Sequence, residues 1–210
     1  RDDGESRGLG DVYKRQIVYI PHFMSWVVAA SIFSMILSPT SAGLVNDILM
    51  KLHLISDNIY FLGDQKWWRF SYYLINVWKD TGWGTIIFMA TLAGISPELY
   101  EAASMDGANR FQKMIYITLP ALNNTIVTVL VLNLAKVMNL FESVFVLQND
   151  AVIKVSDVLQ TYIYTQTFNS GAIPDYGYTT AVGMFSSIIS CILVLVCNRV
   201  SHKTRGRGIV

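Results

Sequence analysis

Charged residues are scarce in this chain of 210 residues, at 15% against the roughly 25% of soluble domains. Hydrophobic residues make up 52% and the mean hydropathy is +0.39, so too little polar surface is left for a soluble domain. The net charge of +1 and the lack of a basic stripe argue against nucleic-acid binding. The 2 cysteines lie in one apolar run, which excludes a disulfide-stapled scaffold.

The motifs behind common catalytic and cofactor sites are also missing. No phosphate-binding G-x-x-x-x-G-K-[ST] loop occurs, so we do not expect this chain to hydrolyse ATP. His22, His53 and His202 are far apart and give no metal-ligand spacing, and no Ser/His/Asp arrangement is visible. These absences predict a chain that is not an enzyme and that uses no cofactor or metal.

Long apolar runs are the main feature that the sequence does have. There are four, at about residues 17–38, 71–92, 124–147 and 176–198. A bilayer core about 30 Å thick needs roughly 20 helical residues, so each run is long enough to cross it. The runs are apolar on nearly every face and lack the alternation of barrel strands. They predict an all-α integral membrane protein.

The first 16 residues differ from the rest because they are rich in charge, and the composition changes abruptly after Gln16. We treat residues 1–16 as a leader outside the fold. Two explanations remain open for it, either non-native sequence or a charged cytosolic linker. The membrane domain is then predicted to cover residues 17–210.

Lysine and arginine are distributed unevenly between the predicted loops, and cytosolic loops usually carry the excess. The side with more of them holds the segment between the second and third runs and the basic C-terminal tail, which we therefore predict to be cytosolic. The outer loops would be 39–70 and 148–175. In the first of these, Trp67 and Trp68 are predicted to anchor the outer membrane interface.

The segment 97–120, between the second and third runs, has the features of a helical hairpin. Ser96 can cap a helix that begins at Pro97. Gly107 permits a chain reversal that a side chain would hinder. A second helix would follow and end at Pro120, before the third span.

Residues 101–120 match the pattern E-A-A-x3-G-x9-I-x-L-P at every fixed position. This pattern resembles the cytosolic coupling motif of the integral membrane subunits of ABC importers. Further segments resemble the carbohydrate-uptake permeases of the polysaccharide or multiple-sugar type, namely residues 19–28, 61–64, 78–85 and 106–110. The resemblance extends from about Ile17 to the C-terminus.

The resemblance implies a type I ABC importer transmembrane domain with six spans, of which the four runs would be the third to the sixth. It implies a second permease subunit, separate ABC ATPase subunits that dock from the cytosol, and an extracytoplasmic solute-binding protein that delivers a carbohydrate. The coupling residues would be Glu101, Ala102, Ala103, Asp106, Gly107, Ile117, Leu119 and Pro120.

Polar side chains within the apolar runs form a second group of candidates, because lipid exposure of such groups is costly. They are Lys79, Asp80, Asn133, Lys136, Asn139 and Glu142. These residues would either line a translocation path or tie helices together, and the sequence leaves both roles open. The alternative functions are an importer permease for a solute other than a sugar and an ATP-independent secondary transporter.

Overall fold

The computed structural model describes residues 17–40, 43–169 and 175–205, so the predicted leader 1–16 lies outside the described residues. Every regular element within these ranges is helical, which confirms the all-α prediction. A π-helix, Met114–Thr118, lies between the sixth and seventh α-helices. The α-helices are α1 (Ile17–Phe23), α2 (Trp26–Ile36), α3 (Leu44–Lys51), α4 (Gln65–Ala93), α5 (Pro97–Met105), α6 (Arg110–Lys113), α7 (Leu119–Val137), α8 (Glu142–Leu147), α9 (Ile153–Ser156), α10 (Leu159–Phe168) and α11 (Tyr176–Arg205).

Two of the described helical stretches could cross a bilayer by length and composition. They are Arg110–Val137, of 28 residues, and Tyr176–Arg199, of 24 residues. A third is added if α1 and α2 count as one bent span. The predicted run 71–92 lies within α4, which has 29 residues but carries more polar side chains and is not among these stretches.

The predicted run 17–38 is broken in the middle, where α1 and α2 meet at 114°. Pro21 has no backbone N–H to bond to the carbonyl of Ile17, which weakens the last turn of α1. Ser25 then starts α2, because its side-chain oxygen accepts a hydrogen bond from the N–H of Val28 at 3.2 Å. Proline and the serine cap together redirect the chain.

The predicted run 124–147 is also divided. Helix α7 ends at Val137 and α8 begins at Glu142, which leaves Asn139 in the turn between them. The polar residues that recur at every third position therefore do not lie on one helix.

The chain divides into two compact units, of which the first contains the residues up to Gly82 together with Asn139–Ser186. Its core is formed by side chains from α2, α4 and α8 and from the loops beside them. Trp68 is only 3% exposed, and its indole Nε1 donates to the carbonyl of Leu147 at 3.1 Å. The prediction that Trp68 anchors the membrane interface is therefore wrong, because this ring belongs to the core.

A buried amide organises the loop between α2 and α4 in this unit. Asn46 is 0% exposed, and its Nδ2 donates to the carbonyls of Ser38 at 2.8 Å and Ile59 at 2.9 Å. Its Oδ1 accepts from the N–H of Ile59 at 3.0 Å. One side chain thus satisfies three backbone groups that no regular element pairs.

The second unit contains Trp83–Met138 and the residues from Ser187 onward. It includes the end of α4, the hairpin of α5 and α6, the π-helix and α7. The hydroxyls of Thr91 on α4 and Thr125 on α7 are 2.8 Å apart, so a hydrogen bond joins these two helices. Only 6% of the most apolar window of the Arg110–Val137 stretch is buried within the chain, which leaves its surface available to lipid or to another subunit.

Candidate functional site

The hairpin predicted at 97–120 is present and lies within the second unit. Helix α5 begins at Pro97, and the side chain of Ser96 accepts from the N–H of Glu98 at 3.3 Å. Proline fits the first helical position because its missing N–H would have no partner there. The negative charge of Glu98 in the first turn favours the same end of the helix. The predicted start of the hairpin is confirmed.

Gly107 forms the reversal after α5. Its φ is +77°, in the left-handed region that favours glycine. The N–H of Ala108 bonds to the carbonyl of Ala103 at 2.9 Å, and the N–H of Gly107 bonds to the carbonyl of Ser104 at 3.1 Å. This pair of bonds is the Schellman ending of a helix. A Cβ at Gly107 would meet no atom within 4 Å, so the requirement for glycine is conformational and not steric.

A capping box fixes the start of the second half of the hairpin. Asn109 Oδ1 accepts from the N–H of Gln112 at 2.8 Å, and Gln112 Oε1 accepts from the N–H of Asn109 at 2.8 Å. These reciprocal bonds satisfy two backbone donors at the helix start. The direction of the second helix is thus set within a few residues of the Gly107 turn.

The expectation that Pro120 ends the second helix is wrong. The helical stretch runs without interruption from Arg110 to Val137 and passes through Pro120. The π-helix lies directly before this proline. Its wider turn accommodates the missing N–H of Pro120 and relieves the clash of the ring with the carbonyl of Tyr116. The hairpin and the apolar span that follows it are therefore one continuous helix.

Two side-chain contacts hold α5 against this continuous helix. The hydroxyl of Tyr100 lies 2.9 Å from Oγ1 of Thr118, which is the last residue of the π-helix. The ammonium of Lys113 donates to the hydroxyl of Ser104. The sequence pattern did not single out Tyr100 or Thr118. The sequence signal that could have indicated an irregular turn here is Pro120, a proline inside an otherwise helical run.

Most of the motif residues are exposed on the surface of the second unit. Glu101, Ala102, Asp106, Gly107, Leu119 and Pro120 are exposed, and Ala103 and Ile117 are half-buried. Large apolar side chains accompany them, since Met105 is 89% exposed and Phe111 is 64% exposed. Exposed apolar side chains of this size mark a surface that contacts another protein or the membrane.

Lys79 and Asp80, the first of the intramembrane candidates, lie at the break between α1 and α2. Lys79 is buried, and its Nζ donates to the carbonyl of His22 at 3.1 Å. The same Nζ lies 5.1 Å from the ring centroid of Trp26. A positive charge here stabilises the C-terminal carbonyls of α1 and the aromatic face. Asp80 is largely exposed, with Oδ1 3.8 Å from Nδ1 of His22.

The remaining intramembrane candidates are distributed over both units. Asn133 and Lys136 are exposed on α7, in the second unit. In the first unit, Asn139 accepts a hydrogen bond from Gln160 at 3.3 Å, and Glu142 is exposed at the start of α8. No group of three or more potential metal ligands occurs among the described residues. A role of these residues in a translocation path stays a prediction.

The chain matches the family described as "Binding-protein-dependent transport system inner membrane component" over residues 8–206. It is 41% identical over 202 residues to the protein LplB of Bacillus subtilis, with 94% of this chain and 62% of LplB covered. It is 38% identical over 198 residues to the polygalacturonan/rhamnogalacturonan transport system permease protein YteP of the same organism, with 94% and 60% covered. The chain thus spans less than two thirds of the length of these relatives.

Solved structures show the same fold. The crystal structure of a bacterial ABC transporter involved in the import of the acidic polysaccharide alginate matches with a TM-score of 0.85 at 34% identity, covering 98% of this chain and 68% of that chain. A second structure holds the alginate ABC transporter in complex with an alginate pentasaccharide-bound periplasmic protein. It matches with a TM-score of 0.86 at 33% identity, covering 100% of this chain and 69% of that one.

Proposed function

Because this chain belongs to the binding-protein-dependent transport system inner membrane components, we propose that it is a permease subunit of an ATP-driven importer. Its partners in this proposal are a second permease subunit, separate ABC ATPase subunits and an extracytoplasmic solute-binding protein. The family membership does not favour the ATP-independent carrier that the sequence left open. ATP is hydrolysed on a partner chain, and this chain supplies the membrane path.

The proposed substrate is a carbohydrate oligomer. Support comes from the relatives, since YteP is a polygalacturonan/rhamnogalacturonan permease and AraP of Bacillus subtilis, 31% identical over 195 residues, is an arabinooligosaccharide permease. The related solved transporter imports alginate. None of these names points to one particular sugar. What the named substrates share is that each is a chain of several sugar units.

The exposed hairpin is the observation that carries the docking role. Its motif residues and large apolar side chains lie on the surface of the second unit, and its helix continues into an apolar span. A surface that is attached to a span in this way can pass a displacement from a docked protein to the membrane region. We assign docking to the motif and place Glu101 at the contact with the ATPase subunit.

The proposed orientation puts the hairpin and the C-terminus in the cytosol, because the cytosolic loops are expected to hold more lysine and arginine. Cysteine labelling from outside intact cells tests this orientation. A reagent that does not cross the membrane should label cysteines at Asp57 and Asp150 and should not label one at Gly107. Labelling at position 107 would contradict both the orientation and the docking role.

Copurification with the ATPase subunit tests the docking role itself. Glu101→Ala removes an exposed carboxylate from α5 and leaves the spans unchanged. Asp57→Ala is the matched control, because it removes an exposed carboxylate from a loop that we predict to be external. If Glu101 forms a charge-assisted contact, its loss should cost about 1.5–3 kcal/mol of binding free energy. Equal retention of the ATPase by both variants would exclude Glu101 from the contact.

For the intramembrane candidates we propose two different roles. Lys79 and Asp80 lie against α1 and the start of α2, which supports a role in holding these helices together. Asn133 and Lys136 are exposed on a span, where a polar side chain is costly unless it faces water or another subunit. We assign these two residues to the translocation path. Alanine at either position should reduce transport while the complex still assembles.

A further inference from the structure

We propose that the hydrogen bond between Tyr100 and Thr118 is the joint that makes the coupling hairpin and the α7 span move as one body. Both residues are positioning residues, since they act by holding α5 against the start of the span. The inference rests on the proposed function, because it concerns how a displacement of the docked ATPase reaches the membrane region.

The covalent link between α5 and α6 is poorly suited to carrying a displacement from α5 to α7. It runs through Gly107 and Ala108, and Gly107 is exposed with open space around its Cα. The Schellman bonds and the capping box set the shape of this turn, but they join only residues of α5, the turn and α6 and none of α7. A push on α5 that travelled only along the chain would therefore reach α7 through the turn, α6 and the π-helix in series.

Tyr100 offers a shorter route to the span. Its hydroxyl lies 2.9 Å from Oγ1 of Thr118, and this contact is partly buried. The contact between Lys113 and Ser104 is exposed. Partial shielding from water strengthens a hydrogen bond, whereas an exposed bond competes with solvent. The Tyr100 contact is thus the one shielded from water, and it reaches the last residue of the π-helix.

The position of Thr118 explains why a brace is needed there. It ends the π-helix, and Pro120 follows two residues later without a backbone donor. Regular hydrogen bonding is interrupted at this point, and helices bend most readily at such interruptions. A contact from α5 at the weak point keeps the hairpin in line with α7.

The same unit contains a second contact that extends the route. Thr125, on α7, is 2.8 Å from the hydroxyl of Thr91 on α4, and Thr91 also bonds to the carbonyl of Ile87 at 3.1 Å. A displacement that reaches α7 through Thr118 is therefore shared with α4. Thr118 and Thr125 lie on opposite sides of the junction between the π-helix and α7.

Hydroxyl deletion tests the joint in the intact transporter complex reconstituted into proteoliposomes. Tyr100→Phe and Thr118→Val each remove one partner, and Thr118→Ser keeps the hydroxyl. Thr128→Val is the matched control, because the hydroxyl of Thr128 bonds to the carbonyl of Asn124 at 3.0 Å within its own helix. Retention of the ATPase and its hydrolysis rate are measured for each variant.

The decisive readout is a distance between α5 and α7. Spin labels are attached at Glu98 and Leu130, both of which are exposed, after Cys191 and Cys197 are replaced by serine. The distance is measured without nucleotide and after trapping with ATP and vanadate. A rigid joint predicts the same narrow distribution in both states for the parent complex, Thr118→Ser and Thr128→Val.

Tyr100→Phe and Thr118→Val should keep the ATPase but show a shifted or broadened distance after trapping. Their transport-coupled ATP hydrolysis should fall by about 2- to 13-fold, the effect expected for the loss of one neutral hydrogen bond. An unchanged distance and full hydrolysis in both variants would overturn the joint. Failure of both variants to assemble, with normal assembly of Thr128→Val, would also overturn it, since the bond would then serve folding. Failure of the parent complex to retain an ATPase would instead contradict the proposed function.

Discussion

Substitution of Gly107 is the change in the hairpin that best separates the effect of backbone conformation from the effect of a steric clash. The residue has a φ of +77°, and a Cβ there would meet no atom within 4 Å. A Cβ thus finds no steric obstacle within the chain, and the strain of substitution there comes from the left-handed backbone. A Cβ at Gly84, on α4, would also stand in open space, but Gly84 has no left-handed φ, so Gly84→Val is the matched control.

The magnitude follows from two ways in which the chain can respond to Gly107→Val. If valine keeps the left-handed conformation, the strain costs about 1–3 kcal/mol. If it leaves that conformation, the bonds from Ala108 to Ala103 and from Gly107 to Ser104 are lost, at about 0.5–1.5 kcal/mol each. Both responses cost about 1–3 kcal/mol, which lowers the ratio of closed to open hairpin by about 5- to 150-fold.

A graded series makes the reasoning quantitative. Asparagine tolerates the left-handed region, alanine does so less well, and a β-branched residue is the least suited. Coupled ATP hydrolysis and ATPase retention should therefore decrease in the order Gly107, Gly107→Asn, Gly107→Ala, Gly107→Val. All variants should insert normally, because the spans are unchanged. An effect of Gly107→Asn equal to that of Gly107→Val, or wild-type behaviour of Gly107→Val, would refute the conformational argument.

Three further substitutions are expected to lower the melting temperature of the purified protein. Gly82→Ala places a Cβ 2.3 Å from the carbonyl oxygen of Val18 and should cost about 1–3 kcal/mol, whereas an equal stability would show that α1 and α4 can separate there. Asn46→Ala leaves three backbone groups without their partner, at about 1–3 kcal/mol for each one that water cannot reach. Lys79→Met should cost about 1.5–3 kcal/mol through the lost bond to His22, and full stability with lost transport would favour a path role instead.

The hairpin was largely predictable because its signals are local. Ser96 and Pro97 start α5, and Gly107 ends it in the conformation that glycine favours. Each of these features depends on residues within a few positions along the chain. The helical class was predictable for a similar reason, since apolar runs of this length have few other structures available in a membrane.

The interruptions of the runs could not be read from hydropathy. Composition treats residues 17–38 as one span, yet Pro21 and the Ser25 cap turn the chain by 114°. Pro120 has the opposite outcome, because a π-helix allows the helix to continue through it. Whether a proline breaks a helix depends on the packing around it, and a single sequence does not contain that information.

The burial of individual aromatic and polar residues could also not be predicted from the hydropathy pattern. Trp68 lies in a segment that we expected to face the membrane interface, but the carbonyl of Leu147, distant in sequence, accepts its N–H. Lys79 interrupts an apolar run and was open to a path role, but its partner is a carbonyl at the end of α1. Both partners are brought close by tertiary folding alone.

Site-specific photo-crosslinking from the hairpin tests the central claim, that this surface docks a separate ATPase subunit. A photoreactive amino acid at Met105, which is 89% exposed on α5, reports directly on what lies against the hairpin. A control at Tyr73, 63% exposed on α4 in the first unit, reports on a surface without the motif. The account predicts a crosslink to the ATPase subunit from position 105 and none from position 73. A crosslink to the ATPase from position 73 alone, in an actively transporting complex, would contradict it.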